Sequence, residues 1–219
     1  MKDNIAVNNI NKRIKELFNY KKWKLIPHFY WDKELKKGKD ILFIWLNPAW
    51  YKEDFYNIKT EIPEKKINEI KKQMDNKFLY KPYYKVYEDN FNDDLFNWNY
   101  NLIDLFVYRW TKSSELIKEI KKDEEFFKEQ YKIFLDLIKL INPKILVVTN
   151  WYASRFLKKK FFNDENKNID YKKWFWEYSF NNRKIPILFT GMLGWQRALD
   201  IWTREILKYN IYKILRKLN

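Results

Sequence analysis

Short apolar runs alternate with amphipathic segments along this chain, and that alternation constrains the fold more than any other feature. The clearest run is Ile145–Val148, which follows a segment of helical spacing that stops before Pro143. Similar runs lie at 40–46, 100–107 and 185–189. Strands that are apolar throughout are buried on both faces, which is typical of parallel sheets covered by helices. The sequence therefore predicts an α/β fold, a three-layer α/β/α sandwich with a mainly parallel central sheet of about four strands.

Apolar spacing and capping signals predict the helices around these strands. Asp123 is a typical N-cap residue, and two glutamates follow it in what would be the first helical turn. Residues 171–180 alternate enough to form an edge strand. The predicted helices cover residues 5–19 (with Ile10, Ile14, Leu17 and Phe18 on one face), 123–141, 151–159 and a C-terminal stretch marked by Leu199, Trp202 and Ile206.

The residue types that are absent exclude several kinds of site. The chain has no cysteine, one histidine and three glycines. Disulfides, thiol nucleophiles, iron–sulfur clusters and zinc sites built from thiolates or several histidines are therefore excluded. Neither a G-x-G-x-x-G turn nor a P-loop can be written with these glycines. We expect no cofactor and no metal.

Length and charge indicate the domain organisation and the kind of partner. A length of 219 residues with 46% hydrophobic residues suits a single domain over residues 1–219. No apolar run approaches the ~20 residues that span a bilayer, and the N-terminus does not resemble a signal peptide. We expect a cytoplasmic monomer with no membrane partner. The formal charge of +15 favours a polyanion such as DNA, although the composition bias of an AT-rich genome explains that charge equally well.

Three segments that follow predicted strands carry the candidate chemistry. They lie at 45–51, 100–111 and 189–197, and the last holds two of the three glycines. Two glycines so close together indicate either a positive φ or a close approach of another group. Because ligands of open parallel sheets bind at the carboxyl ends of the strands, these segments form the candidate site.

The order of these segments resembles the uracil-DNA glycosylase superfamily over roughly residues 39–208. The run W-L-N-P-A at 45–49 stands where uracil-specific members have G-Q-D-P-Y and mismatch-specific members have G-I-N-P-G. The segment 100–111 resembles a strand of the mismatch-specific branch that ends in Arg-x-Thr. The run at 145–150 is similar to the family's next apolar strand, and 190–197 falls at its second motif, H-P-S-P-L-S or N-P-S-G-L-S. The mismatch-specific branch is the nearer of the two.

Four positions depart from the family pattern. Trp45 replaces a glycine, Thr190 stands where uracil-specific members have a catalytic histidine, and Gly191-Met192 replaces the Pro-Ser of the second motif. The alternative to an enzyme is therefore a catalytically inactive DNA-binding module of the same fold. A third interpretation is a nucleotide-processing α/β protein unrelated to the superfamily.

The resemblance implies a monofunctional, metal-independent DNA glycosylase that flips a base and hydrolyses its N-glycosidic bond. Asn47 would be the catalytic residue and would orient the attacking water, whereas outside this context it is a turn residue before proline. Asn101 would bond the base edge, although a strand-edge residue satisfied by the backbone is an equal interpretation. The implied base-binding set is Pro48, Ala49, Trp50, Tyr51, Asn101 and Thr190.

The resemblance also implies a set of DNA contacts, namely Gly191, Met192, Leu193, Gly194, Arg197 and Lys158. Met192 and Leu193 are candidates for the apolar wedge that fills the gap of a flipped nucleotide. Arg197 and Lys158 would contact phosphates, although a lysine run at 158–160 also suits a solvated helix end. Candidates for stacking on the base are Tyr51, Phe91 and Trp98, with core packing as the default for any single aromatic residue.

The small side chain of residue 49 bears on the identity of the substrate. In uracil-specific members a tyrosine follows the proline and blocks a substituent at C5 of the base, whereas Ala49 leaves C5 open. The resemblance thus favours a C5-substituted pyrimidine, with mismatched thymine, hypermodified phage bases and uracil as candidates, in repair or antiviral defence. The alternative is that Trp50 or Tyr51 turns inward and closes the space.

Overall fold

The structure is a computed structural model that describes residues 2–21, 30, 35, 38–46, 86–87, 89–91, 99–107, 113–162, 175–193 and 199–218. The helices are α1 (Lys2–Lys21), α2 (Ser113–Lys122), α3 (Glu124–Ile141), α4 (Trp151–Phe162) and α5 (Ile201–Leu218). The strands are β1 (Ile41–Trp45), β2 (Tyr100–Asp104), β3 (Ile145–Val148), β4 (Trp176–Phe180) and β5 (Arg183–Phe189). Residues 86–87 and 89–91 are also helical. Within these ranges no helix is long and apolar enough to cross a membrane.

The five strands form one sheet in the order β2-β1-β3-β5-β4. The central strand β3 pairs in parallel with β1 and with β5, and β4 pairs antiparallel with β5. The predicted α/β fold with a mainly parallel sheet is therefore confirmed. The sheet has five strands, so the expected number of about four is wrong, whereas the edge strand predicted within residues 171–180 is confirmed as β4.

A two-residue turn makes this additional strand possible. Phe180 pairs with Arg183, so that Asn181 and Asn182 alone connect β4 to β5. Both asparagines have positive φ, 48° and 61°, as a type I′ hairpin requires. Pro186 is tolerated inside β5 because the pairing of β5 with β3 begins only at the next residue.

Helical segments contact both faces of this sheet. The register places Phe43, Val147 and Leu188 on one face, where the ring of Phe43 lies 4.9 Å from that of Tyr87. The adjacent residue of β5, Phe189, points to the opposite face, where the Lys158 ammonium of α4 lies 4.9 Å from its ring. This arrangement is consistent with a three-layer α/β fold.

The chain clusters into two compact units, and each is assembled from three separate segments. The first comprises Met1–Leu35, Asn47–Lys85 and Asp104–Leu140; the second comprises Lys36–Leu46, Val86–Ile103 and Ile141–Asn219. The second unit contains nearly the whole sheet, together with α4 and α5. The assignment of residues 1–219 to a single domain stays a prediction.

In the first unit, α1 packs through the face that its sequence predicts. Ile10, Ile14 and Phe18 are buried, whereas Leu17 is only half-buried. The side chain of Asn11 forms two hydrogen bonds with the backbone of Tyr30: its amide donates to the carbonyl at 2.6 Å, and its oxygen accepts from the N–H at 2.9 Å. These two bonds attach Tyr30 to the helix.

The start and end of α3 also follow the sequence. The Asp123 carboxylate accepts a hydrogen bond from the Phe126 N–H at 3.2 Å, as an N-cap residue does. The helix ends at Ile141, Asn142 adopts a left-handed conformation with φ of 55°, and Pro143 follows. The predicted cap and the predicted boundary are both confirmed.

We expect the hairpin to depend on the left-handed conformation of Asn182. Asn182→Gly should maintain or raise the free energy of unfolding, because glycine adopts positive φ without a steric cost. Asn182→Val should lower that free energy by about 1–2 kcal/mol. Urea unfolding followed by circular dichroism measures both, and Ser179→Val in exposed β4 serves as a control for the added side chain. Equal stability of the glycine and valine variants would contradict the turn assignment.

Candidate functional site

The carboxyl ends of three parallel strands lie side by side in the second unit. The Thr149 N–H donates to the Ile44 carbonyl at 3.0 Å, so the ladder between β1 and β3 continues past the end of β3. The Thr190 N–H donates to the Val148 carbonyl at 2.9 Å and extends the ladder between β3 and β5 in the same way. The segments that follow β1, β3 and β5 therefore begin at one edge of the sheet, which we call the carboxyl edge.

A buried chain of hydrogen bonds lies directly beneath the carboxyl edge. The Thr149 hydroxyl donates to the Ile44 carbonyl at 3.3 Å, and the Tyr87 hydroxyl lies 3.1 Å from the same threonine oxygen. With the threonine proton directed at Ile44, Tyr87 is the donor of the second bond. Both side chains are fully buried. These hydrogen bonds thus hold β1 at Ile44, which lies three residues before Asn47, the predicted catalytic residue.

The residue after Thr149 begins a helix at this edge. The side-chain oxygen of Asn150 accepts hydrogen bonds from the N–H groups of Tyr152 at 2.9 Å and Ala153 at 3.1 Å, so Asn150 is the N-cap of α4. The positive end of the helix dipole therefore lies at the carboxyl edge. Trp151, the first residue of α4, is 62% exposed, and the guanidinium of Arg155 lies 5.8 Å from its ring.

The segment after β5 contains the glycine pair, and one of its glycines lies in close approach to another side chain. A Cβ atom added to Gly191 would lie 2.8 Å from the Leu199 side chain, and Gly191 is not among the described glycines with positive φ. The Leu199 N–H also donates to the Met192 carbonyl at 2.7 Å. Thr190 is half-buried at the carboxyl edge, as the motif order predicts for a base-binding residue, and that role stays a prediction.

Two of the residues predicted to contact DNA are core residues. Leu193 is only 1% exposed, which contradicts its prediction as a wedge, because a wedge must project from the surface. Phe91 packs against Phe43 with 4.7 Å between ring centroids and is equally buried, so it does not present a face to a base. Met192 is half-buried, and its role as a wedge stays a prediction.

One further predicted contact, Asn101, lies away from the carboxyl edge, whereas Lys158 packs on the β4–β5 hairpin. Asn101 is 3% exposed and lies beside the beginning of β1, where the Ile41 N–H donates to the Asn99 carbonyl at 3.2 Å. The structure does not bring it together with Thr190, and its assignment to the base pocket is not supported. The Lys158 ammonium lies 5.2 Å from the Trp176 ring and 4.9 Å from the ring of Phe189, the last residue of β5. Its predicted contact with a phosphate stays a prediction.

The remaining predicted site residues lie outside the described residues. They are Asn47, Pro48, Ala49, Trp50, Tyr51, Trp98, Gly194 and Arg197. Over the described ranges, no three histidine or acidic side chains come together as a metal site would require.

Sequence reasoning missed an exposed aromatic residue at the start of α5. Trp202 is 80% exposed, although Leu207, Ile211 and Ile214 on the other side of the same helix are buried. Asp200 caps this helix by accepting a hydrogen bond from the Thr203 N–H at 2.9 Å. The hydrogen bond from the Thr203 hydroxyl holds the pKa of Asp200 below its ordinary value. The helical phase of the three buried residues is the signal that would have placed Trp202 outside.

No protein-family model matches the chain, and no curated protein is significantly similar to it. The resemblance to the uracil-DNA glycosylase superfamily therefore depends on the motifs themselves and on their order along the chain.

We expect the stability contributions of the Tyr87 and Thr149 hydroxyl groups to be coupled. Tyr87→Phe should lower the free energy of unfolding by about 1 kcal/mol, and Thr149→Val by about 1–3 kcal/mol, because the valine removes a buried hydrogen-bond partner of the tyrosine hydroxyl. The double variant should lose less than the sum of the two single losses. Urea denaturation of the four proteins measures this coupling. Strictly additive losses would show that the two hydroxyl groups do not interact.

Proposed function

We propose that this chain is a metal-independent DNA glycosylase of the uracil-DNA glycosylase-like α/β/α fold. One observation carries the proposal: the segments that resemble the family's motifs after β1, β3 and β5 all begin at the carboxyl edge. In sequence these segments are more than 40 residues apart on either side of β3. A mostly parallel sheet brings them together at the edge where such folds bind ligands.

The proposed reaction breaks the bond between the base and deoxyribose and gives an oxocarbenium-like sugar and an anionic base. Asn47 orients the attacking water through its side-chain carbonyl. An amide is a weak base, so most of the rate enhancement would come from electrostatic stabilisation of the two charged fragments. Thr190 takes the place of the family's histidine, and its hydroxyl is a neutral donor for the departing base.

Charge supports DNA as the partner. The formal charge of the chain is +15, and the positive end of the α4 dipole lies at the carboxyl edge. Association with DNA should therefore weaken steeply as salt is added, because bound phosphates release counterions.

The catalytic role of Asn47 is testable by substitution. Asn47→Ala should lower single-turnover excision at least ~10²-fold, the scale of one lost transition-state contact. Asn47→Asp is the matched variant and should retain activity, because the uracil-specific members that the motif resembles carry aspartate there. Excision is measured as alkali-labile abasic sites in duplexes that contain uracil, mismatched thymine or a C5-substituted pyrimidine. Unchanged excision by a folded Asn47→Ala protein would assign Asn47 to a turn.

The second candidate function is a DNA-binding module without catalysis, and Thr190 in place of histidine favours it. In that case the wild-type protein would bind duplex DNA with a strong salt dependence and produce no abasic sites on any of these substrates.

The size of Ala49 predicts the class of base. With no ring at this position, the protein should excise a C5-substituted pyrimidine at least as fast as uracil. Ala49→Tyr should suppress the substituted base more than uracil, because the new ring would occupy the volume of the substituent. The ratio of the two single-turnover rates is the measurement. A wild-type protein specific for uracil, or an equal loss on both substrates, would mean that Trp50 or Tyr51 closes the space.

A further inference from the structure

Two strongly exposed tryptophans lie at the starts of α4 and α5, two helices that leave the carboxyl edge. Trp151 follows the end of β3 by three residues, and it is the first residue of α4. Trp202 is the second residue of α5 and lies three residues after Leu199, which contacts Gly191 at the end of β5. Three residues of chain span at most about 11 Å, so Trp202 lies near this edge as well. Because β3 and β5 are parallel, hydrogen-bonded neighbours, both tryptophans lie near the same edge of the sheet.

Such exposure is unusual for tryptophan, which is highly buried on average. Trp151 is 62% exposed and Trp202 is 80% exposed. An indole ring has a large apolar face, and keeping two of them in water opposes the hydrophobic effect. Exposed apolar rings that lie near one edge of the sheet therefore indicate a surface that a ligand could cover.

Positive charge beside the Trp151 ring indicates the class of ligand. Arg155 and Lys159 follow Trp151 at intervals of four residues, which places all three on one face of α4, and all three are exposed. The Arg155 guanidinium already lies 5.8 Å from the Trp151 ring. An aromatic face next to a row of cations is the arrangement by which proteins bind unpaired nucleic acid, with bases on the rings and phosphates on the cations.

We propose that Trp151 and Trp202 form a stacking platform for unpaired bases of DNA at the carboxyl edge. The inference extends the proposed function, since it names single-stranded or locally opened DNA as the form of the substrate. Paired bases expose no ring face, so an intact duplex does not satisfy the two indoles. The binding step itself does not require excision.

The test uses the whole chain and a fluorescein-labelled oligothymidine of twelve nucleotides, with fluorescence anisotropy at low salt. Trp151→Ala and Trp202→Ala should each raise the Kd by about 5- to 150-fold, the range for one lost stacking contact. Trp→Phe at either position should restore most of the affinity, because phenylalanine retains a ring. Tyr212→Ala is the matched control: it is exposed on α5 but about 15 Å further along the helix, and it should leave the Kd unchanged.

Exposed positions tolerate substitution, so the variants should retain the wild-type thermal unfolding midpoint. An unchanged Kd in both alanine variants overturns the proposal. The rival explanation is an interface between two copies of this chain, and it predicts that Trp202→Ala changes the mass measured by light scattering but not the Kd for oligothymidine.

The result separates this inference from the proposed function. Excision without a tryptophan-dependent affinity for oligothymidine would refute the stacking platform alone. Tryptophan-dependent affinity without excision of any base would refute the glycosylase proposal alone.

Discussion

Parallel pairing of β3 with both β1 and β5 determines where the candidate segments after these three strands begin. The Thr149 and Thr190 N–H groups extend the two ladders one residue beyond the strands, so the backbone is held to the point where the candidate segments start. A shift of one residue in either register would turn the buried side chains of a strand to its other face. Because all four residues of β3 are fully apolar and buried, the hydrophobic core strongly resists such a shift.

The hydrogen bonds that link Tyr87, Thr149 and Ile44 favour one register of this apolar sheet over others. Its hydrogen bonds form where water is excluded, so a misplaced strand would leave a hydroxyl unsatisfied at a cost of about 1–3 kcal/mol. The rings of Phe43 and Tyr87 pack at 4.9 Å beside it. Packing and hydrogen bonding therefore favour one and the same position for the end of β1.

Local signals in the sequence predicted much of this fold. The strand Ile145–Val148 and the cap at Asp123 depend on adjacent residues alone, and both are as predicted. The edge strand predicted within residues 171–180 is also present, and the turn at Asn181 and Asn182 that joins it to β5 is local as well. The solvent exposure of a site residue, in contrast, depends on contacts with residues distant in the sequence. Leu193, which was expected on the surface, is buried because of tertiary packing that its neighbours in sequence do not reveal.

Tertiary packing also explains why Trp202 is exposed to solvent. Gly191 leaves room for the Leu199 side chain, which a Cβ atom would meet at 2.8 Å. Docking of Leu199 fixes Asp200, whose carboxylate caps α5. The helix then buries Leu207 and Ile211 against the protein, and the 100° between successive residues directs Trp202 outward. The absence of a methyl group at Gly191 thus contributes to the placement of Leu199, and through it to the position at which α5 begins.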